Sequence, residues 1–306
     1  MSPTPRRLGF SFLYFGPRID ERHASWFERL AIHGYDGAEL PVADASPREL
    51  TTLRRLLEAN GLAASAVGFA TADADPIAES PAVRRRAVDH LAALAEKAAA
   101  LGAHVLSGPK QSAYGRLTDA PPTADERARC AEVLREAGAR AAHVGIRLAV
   151  EPLNRFECFF LNTAAQCDAL VREVGHSHVV GTLDTHHAHL EEDDLVGAIH
   201  ASRATLGHVQ LSENHRGTPG TGQVDFPRVL AALDSIDYRG WLVIEAFSRQ
   251  DPAFGNALRI WRELDRGPES VLAAGAALLG RAGRTRAAQL APGRTTEGPG
   301  SSPASM

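Results

Sequence analysis

The sequence predicts an α/β protein built from eight repeated strand–helix units, the count of a closed parallel (β/α)8 barrel. Three observations carry that reading. Eight short apolar runs recur along the 306 residues, helix-period patterns fill the intervals, and carboxylates finish several of the later runs. An open doubly wound sheet shares this alternation, because periodicity does not report closure. The length suits one unit, since α/β barrels commonly reach ~250 residues as a single domain, and residues 1–282 are read as that domain.

The runs are LGFSFL (8–13), YDGAEL (35–40), LAASAV (62–67), HVLSG (104–108), IRLAVE (146–151), VVGTLD (179–184), LGHVQL (206–211) and WLVIE (241–245). Each is as long as one buried strand and too short for a helix. Between the third and fourth, Val83, Ala87, Leu91, Leu94, Ala98 and Leu101 recur at steps of three and four and give one apolar helix stripe, which Gly102 closes. After the eighth run a helix is expected from Phe254 through Trp261 and Leu264, with a further piece over Val271 to Leu279. From Gly283 onward the chain is mostly small and polar, ending APGRTTEGPGSSPASM. Such a segment cannot offset its ordering entropy by burial, so residues 283–306 are expected to be a disordered tail.

Composition narrows the function. A formal charge of -4 gives no basic footprint, so no nucleic-acid partner is expected. No apolar run approaches the ~20 residues of a membrane span, and MSPTPRRLGF lacks the apolar core of a signal peptide, so a soluble cytoplasmic protein is expected. Cys130, Cys158 and Cys167 have no CxxC spacing and read as structural thiols.

The chemistry should sit at the carboxyl ends of the strands. The fifth run ends in Glu151, the sixth in Asp184 and the eighth in Glu245, while the seventh carries His208 and Gln210. A carboxylate finishing a buried strand costs several kcal/mol unless a cation compensates it, and three around one mouth repel one another. One divalent ion resolves both problems. Hard oxygen donors suit Mg2+ or Mn2+, and a nitrogen donor would favour Mn2+ or Co2+.

Four stretches carry a family likeness: EPLNRFECFFLNTAAQ (151–166), LDTHHAHLEEDD (183–194), GHVQLSENHRGTPGTGQVDF (207–226) and VIEAFSRQDPAFGNALRIWREL (243–264). In order and at strand ends, they resemble the D-tagatose/D-psicose (allulose) 3-epimerase family of the xylose-isomerase-like TIM barrels. The resemblance is most specific over roughly residues 146–264 and collinear over 8–145. It implies a closed barrel, a small-molecule sugar substrate and one divalent metal, Mn2+ first, with Co2+ or Mg2+ as alternatives. It further implies a homodimer or homotetramer.

Residue by residue, Glu151 and Glu245 match the two glutamates that ligate the metal and exchange the substrate proton, and Asp184 matches the metal-binding aspartate. Glu157, His187 and Arg216 match the residues that hold the ketose oxygens. The chain departs from the family pattern at position 210, where Gln210 replaces a histidine ligand. An amide oxygen is a legitimate but weaker donor, so Gln210 is kept in the ligand set with Glu151, Asp184 and Glu245. The implied reaction is epimerisation at the carbon beside a ketose carbonyl, through a metal-stabilised enediolate.

Lys110 and His208 complete the candidate substrate contacts. Lys110 suits a pocket residue and a partner for a neighbouring carboxylate equally. His208 faces the interior about 7 Å deeper than Gln210, which favours a core place. Glu39 reads as a structural partner rather than a ligand, and His186 as wall packing. Tyr14, Phe69 and Tyr114 suit the mouth and the core alike. The EEDD run (191–194) reads as helix capping, and GTPGTG (217–222) as a mobile substrate loop.

The alternatives are an aldose–ketose isomerase or a lyase acting on an oxidised (3-oxo) sugar or glycoside on the same scaffold. More distant are a non-catalytic sugar-binding barrel and a DNA-repair endonuclease, which would need a multi-zinc ligand set and a basic face.

Overall fold

The computed structural model describes residues 6–280. The tail expected from Gly283 lies outside the described residues. Eight strands run in chain order: β1 (Arg7–Ser11), β2 (Gly37–Pro41), β3 (Ala63–Val67), β4 (Val105–Ser107), β5 (Arg147–Val150), β6 (Val179–Asp184), β7 (Leu206–Ser212) and β8 (Trp241–Glu245). Each pairs in parallel with the next, and β8 returns to β1, so the sheet is a closed barrel and not an open one.

Around it lie α1 (Ala24–Ile32), α2 (Pro47–Ala59), α3 (Pro81–Ala100), α4 (Ala124–His143) and α5 (Ala164–Val174). The short pair α6 (Thr185–Glu191) and α7 (Leu195–Ala201) follows, then α8 (Phe226–Ser235), α9 (Pro252–Ala257) and α10 (Pro268–Leu278). Reciprocal capping boxes at Ser46/Glu49, Thr123/Glu126 and Thr163/Gln166 start α2, α4 and α5 by satisfying donors that the first turn leaves open. Helix α3 buries Ala87, Leu91, Leu94 and Ala98 of the expected stripe, Val83 is half-buried, buried Leu101 caps the end, and Gly102 (φ +80) follows. None of the described helices is long and apolar enough to cross a membrane.

Helix α9 is shorter than expected. It stops at Ala257, Arg259 turns into the left-handed region (φ 58), and Ile260 folds back onto Leu13, Val67 and Phe247. The apolar spacing of Phe254 to Leu264 therefore serves a loop wall rather than a helix face. The acidic run is also used differently. Glu192 accepts the N–H of Ala164 at the start of α5, and Glu191 pairs with Arg155, so the capping crosses between elements.

The barrel interior is layered. At the floor, the Trp241 ring occupies the space left by Gly9 and Gly37, and Val105, Ala149 and Val243 pack beside it. A Cβ on Gly37 would stand 2.1 Å from the Ala63 carbonyl oxygen. Above the floor the interior turns polar around Glu39, and at the carboxyl ends of β5 to β8 it becomes the mouth. A register shift between β6 and β7 sets Thr182 beside His208 and Asp184 beside Gln210, which fixes the lateral order of the mouth.

Candidate active site

Glu151 follows β5, Asp184 ends β6, Gln210 and Ser212 stand on β7, and Glu245 ends β8. All five are at most 5% exposed. Burial raises Glu151, Asp184 and Glu245 above the usual carboxylate range, because desolvation penalises the charged form. Mutual repulsion adds to the rise at Glu151 and Glu245, while Arg216 opposes it at all three. Ser212 Oγ ties two of them, lying 3.2 Å from Asp184 Oδ2 and 3.4 Å from Glu245 Oε2.

Arg216 holds this cluster from above. Its Nη1 is 2.5 Å from Glu245 Oε2 and 3.6 Å from Asp184 Oδ2, and its Nη2 is 3.9 Å from Glu157 Oε1. The guanidinium also stacks on Phe247, 4.7 Å from the ring centroid. The backbone at Arg216 has φ 62, a costly conformation for a non-glycine residue. Two bonds hold it there: Arg216 N–H donates to the Glu213 carbonyl and Phe247 N–H donates to the Arg216 carbonyl, both at 2.8 Å.

His187 is buried, and desolvation pushes it well below the usual histidine range. Its Nδ1 accepts the Asn154 backbone N–H at 3.0 Å. A backbone N–H can only donate, and so can the guanidinium that faces the other ring nitrogen, Nε2. That atom lies 3.6 Å from Glu151 Oε1 and 2.7 Å from Arg216 Nη2. Both ring nitrogens of His187 thus face N–H donors.

Glu151, Asp184 and His187 present donor atoms within 4.8 Å of one another, a grouping able to hold a metal ion. With both nitrogens of His187 engaged by N–H donors, the ligand set is read from oxygens. Gln210 supplies one: both its amide hydrogens are committed, to Glu39 Oε1 at 3.1 Å and Glu245 Oε1 at 2.9 Å, while its Oε1 is buried without a hydrogen-bond partner. Three carboxylates with raised proton affinity and an orphaned amide oxygen fit a hard divalent cation.

Of this cluster, Glu151, Arg216 and Glu245 line a cavity of about 650 Å3. Glu151, Asn154, Glu157, His187, Arg216 and Glu245 give it a polar side. Leu13, Phe69, Tyr114, Phe247, Phe254 and Ile260 are among the residues of its apolar wall.

Two expected substrate contacts are corrected. Lys110 is fully buried and donates to the carbonyls of Gly68, Gly108 and Ala149, within 3.4 Å, so it ties the ends of β3 to β5 together instead of facing the cavity. Burial pushes its pKa down to about 7. His208 is also fully buried, with Nε2 2.9 Å from Glu39 Oε2, a layer below the mouth. Tyr14 bonds Asp265 in the core, whereas Phe69, Tyr114 and His186 do line the cavity.

Three residues were missed by sequence reasoning. Asn154 holds His187 and donates to Glu157 Oε1 at 2.8 Å; Ser212 links two carboxylates; and buried Glu213 accepts the N–H groups of Asn214, Gly220 and Val224. Glu213 thereby clasps the GTPGTG loop that was expected to be mobile. Only the period-two spacing of Gln210 and Ser212 along one strand face could have indicated any of them.

A model of the xylose isomerase-like TIM barrel family matches residues 27–266. L-ribulose 3-epimerase of Methylomonas sp. (strain DH-1) is 33% identical over 76% of this chain and 81% of its own length. Ketose 3-epimerase of Arthrobacter globiformis is 35% identical over 76% of this chain and 80% of its own length. The crystal structure of D-allulose 3-epimerase from Methylomonas sp. in complex with D-allulose superposes with a TM-score of 0.81 at 31% identity, covering 90% of this chain and 96% of that one. With the closed barrel and the buried carboxylates at its mouth, these likenesses show that the chain belongs to the xylose isomerase-like TIM barrels and, within them, to the ketose 3-epimerase family.

Proposed function

We propose that the protein is a metal-dependent ketose 3-epimerase in which Glu151 and Glu245 exchange the substrate proton. The observation that carries this is the pair itself: two carboxylates from β5 and β8 reach the same cavity, both with proton affinity raised by burial. Glu151, Asp184, Glu245 and Gln210 Oε1 would hold the ion, Mn2+ first by donor chemistry. When bound, it supplies Lewis-acid stabilisation of negative charge developing on the ketose oxygens.

The chain's own groups do the rest. One glutamate removes the proton at C3, leaving an enediolate, and the other delivers a proton to the opposite face, so the configuration inverts. Arg216 aims positive charge at the substrate oxygens with His187 beside it, and Glu157, steadied by Asn154, accepts from a hydroxyl. The relatives named for D-allulose, L-ribulose and ketoses support a free ketose as the substrate class.

The test is incubation of a ketose panel in D2O with Mn2+. One deuterium at C3 with formation of the C3 epimer is expected. Label at C1 with aldose formation would make the protein an aldose–ketose isomerase, and full activity after metal stripping would overturn the mechanism.

A further inference from the structure

Glu39 is a buried carboxylate to which the reaction assigns nothing. It stands on β2, fully enclosed within the barrel, and three side chains converge on it. Ser107 Oγ donates to Oε2 at 2.7 Å, His208 Nε2 lies 2.9 Å from the same oxygen, and Gln210 Nε2 donates to Oε1 at 3.1 Å. None of the three is exposed to solvent. A carboxylate accepts and does not donate, so what it faces must be the NH2 end of the Gln210 amide. An amide has two nearly isosteric ends, and only one of them can bind a cation.

We propose that Glu39 is a positioning residue that holds the Gln210 amide the one way round that leaves its carbonyl oxygen free for the metal. This rests on the reading of Gln210 as a ligand. Glu39 and Glu245 take the two amide hydrogens from different sides, and Oε1, buried and without a hydrogen-bond partner, is the donor that remains. With Glu245 alone only one of the two amide hydrogens would be held, and the amide would be freer to turn over. The NH2 group would then meet the cation and the site would lose a ligand. His208 and Ser107 brace Glu39 from the sides away from Gln210, and thus serve the metal without touching it.

The experiment is a double-mutant cycle on the metal-stripped full-length protein, read as Mn2+ affinity from the electron paramagnetic resonance signal of free Mn2+. Gln210→Ala should weaken binding. Glu39→Gln should weaken it about 10–100-fold, the usual cost of losing an outer partner of a ligand, and should add nothing in the Gln210→Ala background. An equal loss in both backgrounds would mean that Glu39 acts on the ion through charge or general structure, and would overturn the proposal. So would unchanged affinity in Glu39→Gln while Gln210→Ala is weakened. Unchanged affinity in Gln210→Ala would instead remove Gln210 from the ligand set, a separate failure of the underlying reading. Should Glu39→Gln fail to fold, Glu39→Asp keeps the charge, shortens the reach and enters the same cycle. Ser107→Ala, which removes a bond to Glu39 but none to Gln210, should retain most of the affinity.

Discussion

Position 210 is where this chain departs from the pattern that the family resemblance implies, with a glutamine in place of a histidine. An imidazole is a better ligand for Mn2+ and Co2+ than an amide oxygen, so Gln210→His should tighten Mn2+ binding by about tenfold, or ~1.4 kcal/mol, in a metal titration. Unchanged affinity would place the amide outside the ligand set. Glu151→Gln and Glu245→Gln should each lower turnover by at least ~10²-fold, whereas Arg216→Ala should act more on KM; steady-state kinetics on the best ketose separate the two. At this scale the residue types at the strand ends were legible, because a carboxylate ending a buried strand demands a reason. Depth was not. Lys110 and His208 are polar residues near a mouth in sequence, yet both turn inward. Lys110 finds three carbonyls at or just past the ends of three strands and His208 finds Glu39, 169 positions away, and such partners exist only once the barrel has closed.

Among elements, the strands were the legible part, since a run of apolar residues buried on both sides needs no knowledge of its neighbours. VVGTLD and WLVIE coincide with β6 and β8, and the other runs differ from their strands by a residue or two at the ends. The register shift between β6 and β7 left no comparable trace, although it decides that Asp184 and Gln210 stand side by side. The end of α9 was misjudged because wall-forming residues of a loop can repeat at helical intervals. Packing at the floor yields a prediction of its own. Gly37→Ala would drive a methyl group against the Ala63 carbonyl and the Trp241 ring, and should cost about 1–3 kcal/mol in urea unfolding, as overpacking does. A neutral result would mean that β2 and β3 can part without loss.

For the whole molecule, the mouth sets how stability responds to pH. Burial raises the proton affinity of Glu151, Asp184 and Glu245, so the metal-free fold binds protons that the unfolded chain releases. Stability from these groups is full below the ordinary carboxylate range and is lost as pH climbs through the raised values. A cation replaces the protons. Mn2+ should therefore raise the melting temperature more at about pH 8 than at about pH 5, and calorimetry should detect proton release on binding. An equal rise at both pH values would contradict the assignment of these carboxylates to the ion. The Trp241 floor has a kinetic meaning as well. It fills the space beneath the site, and under the proposed mechanism a ketose bound over the ion would stand between that ion and the mouth. Saturating ketose should then slow the stripping of Mn2+ by a chelator, as a cork slows the emptying of a flask.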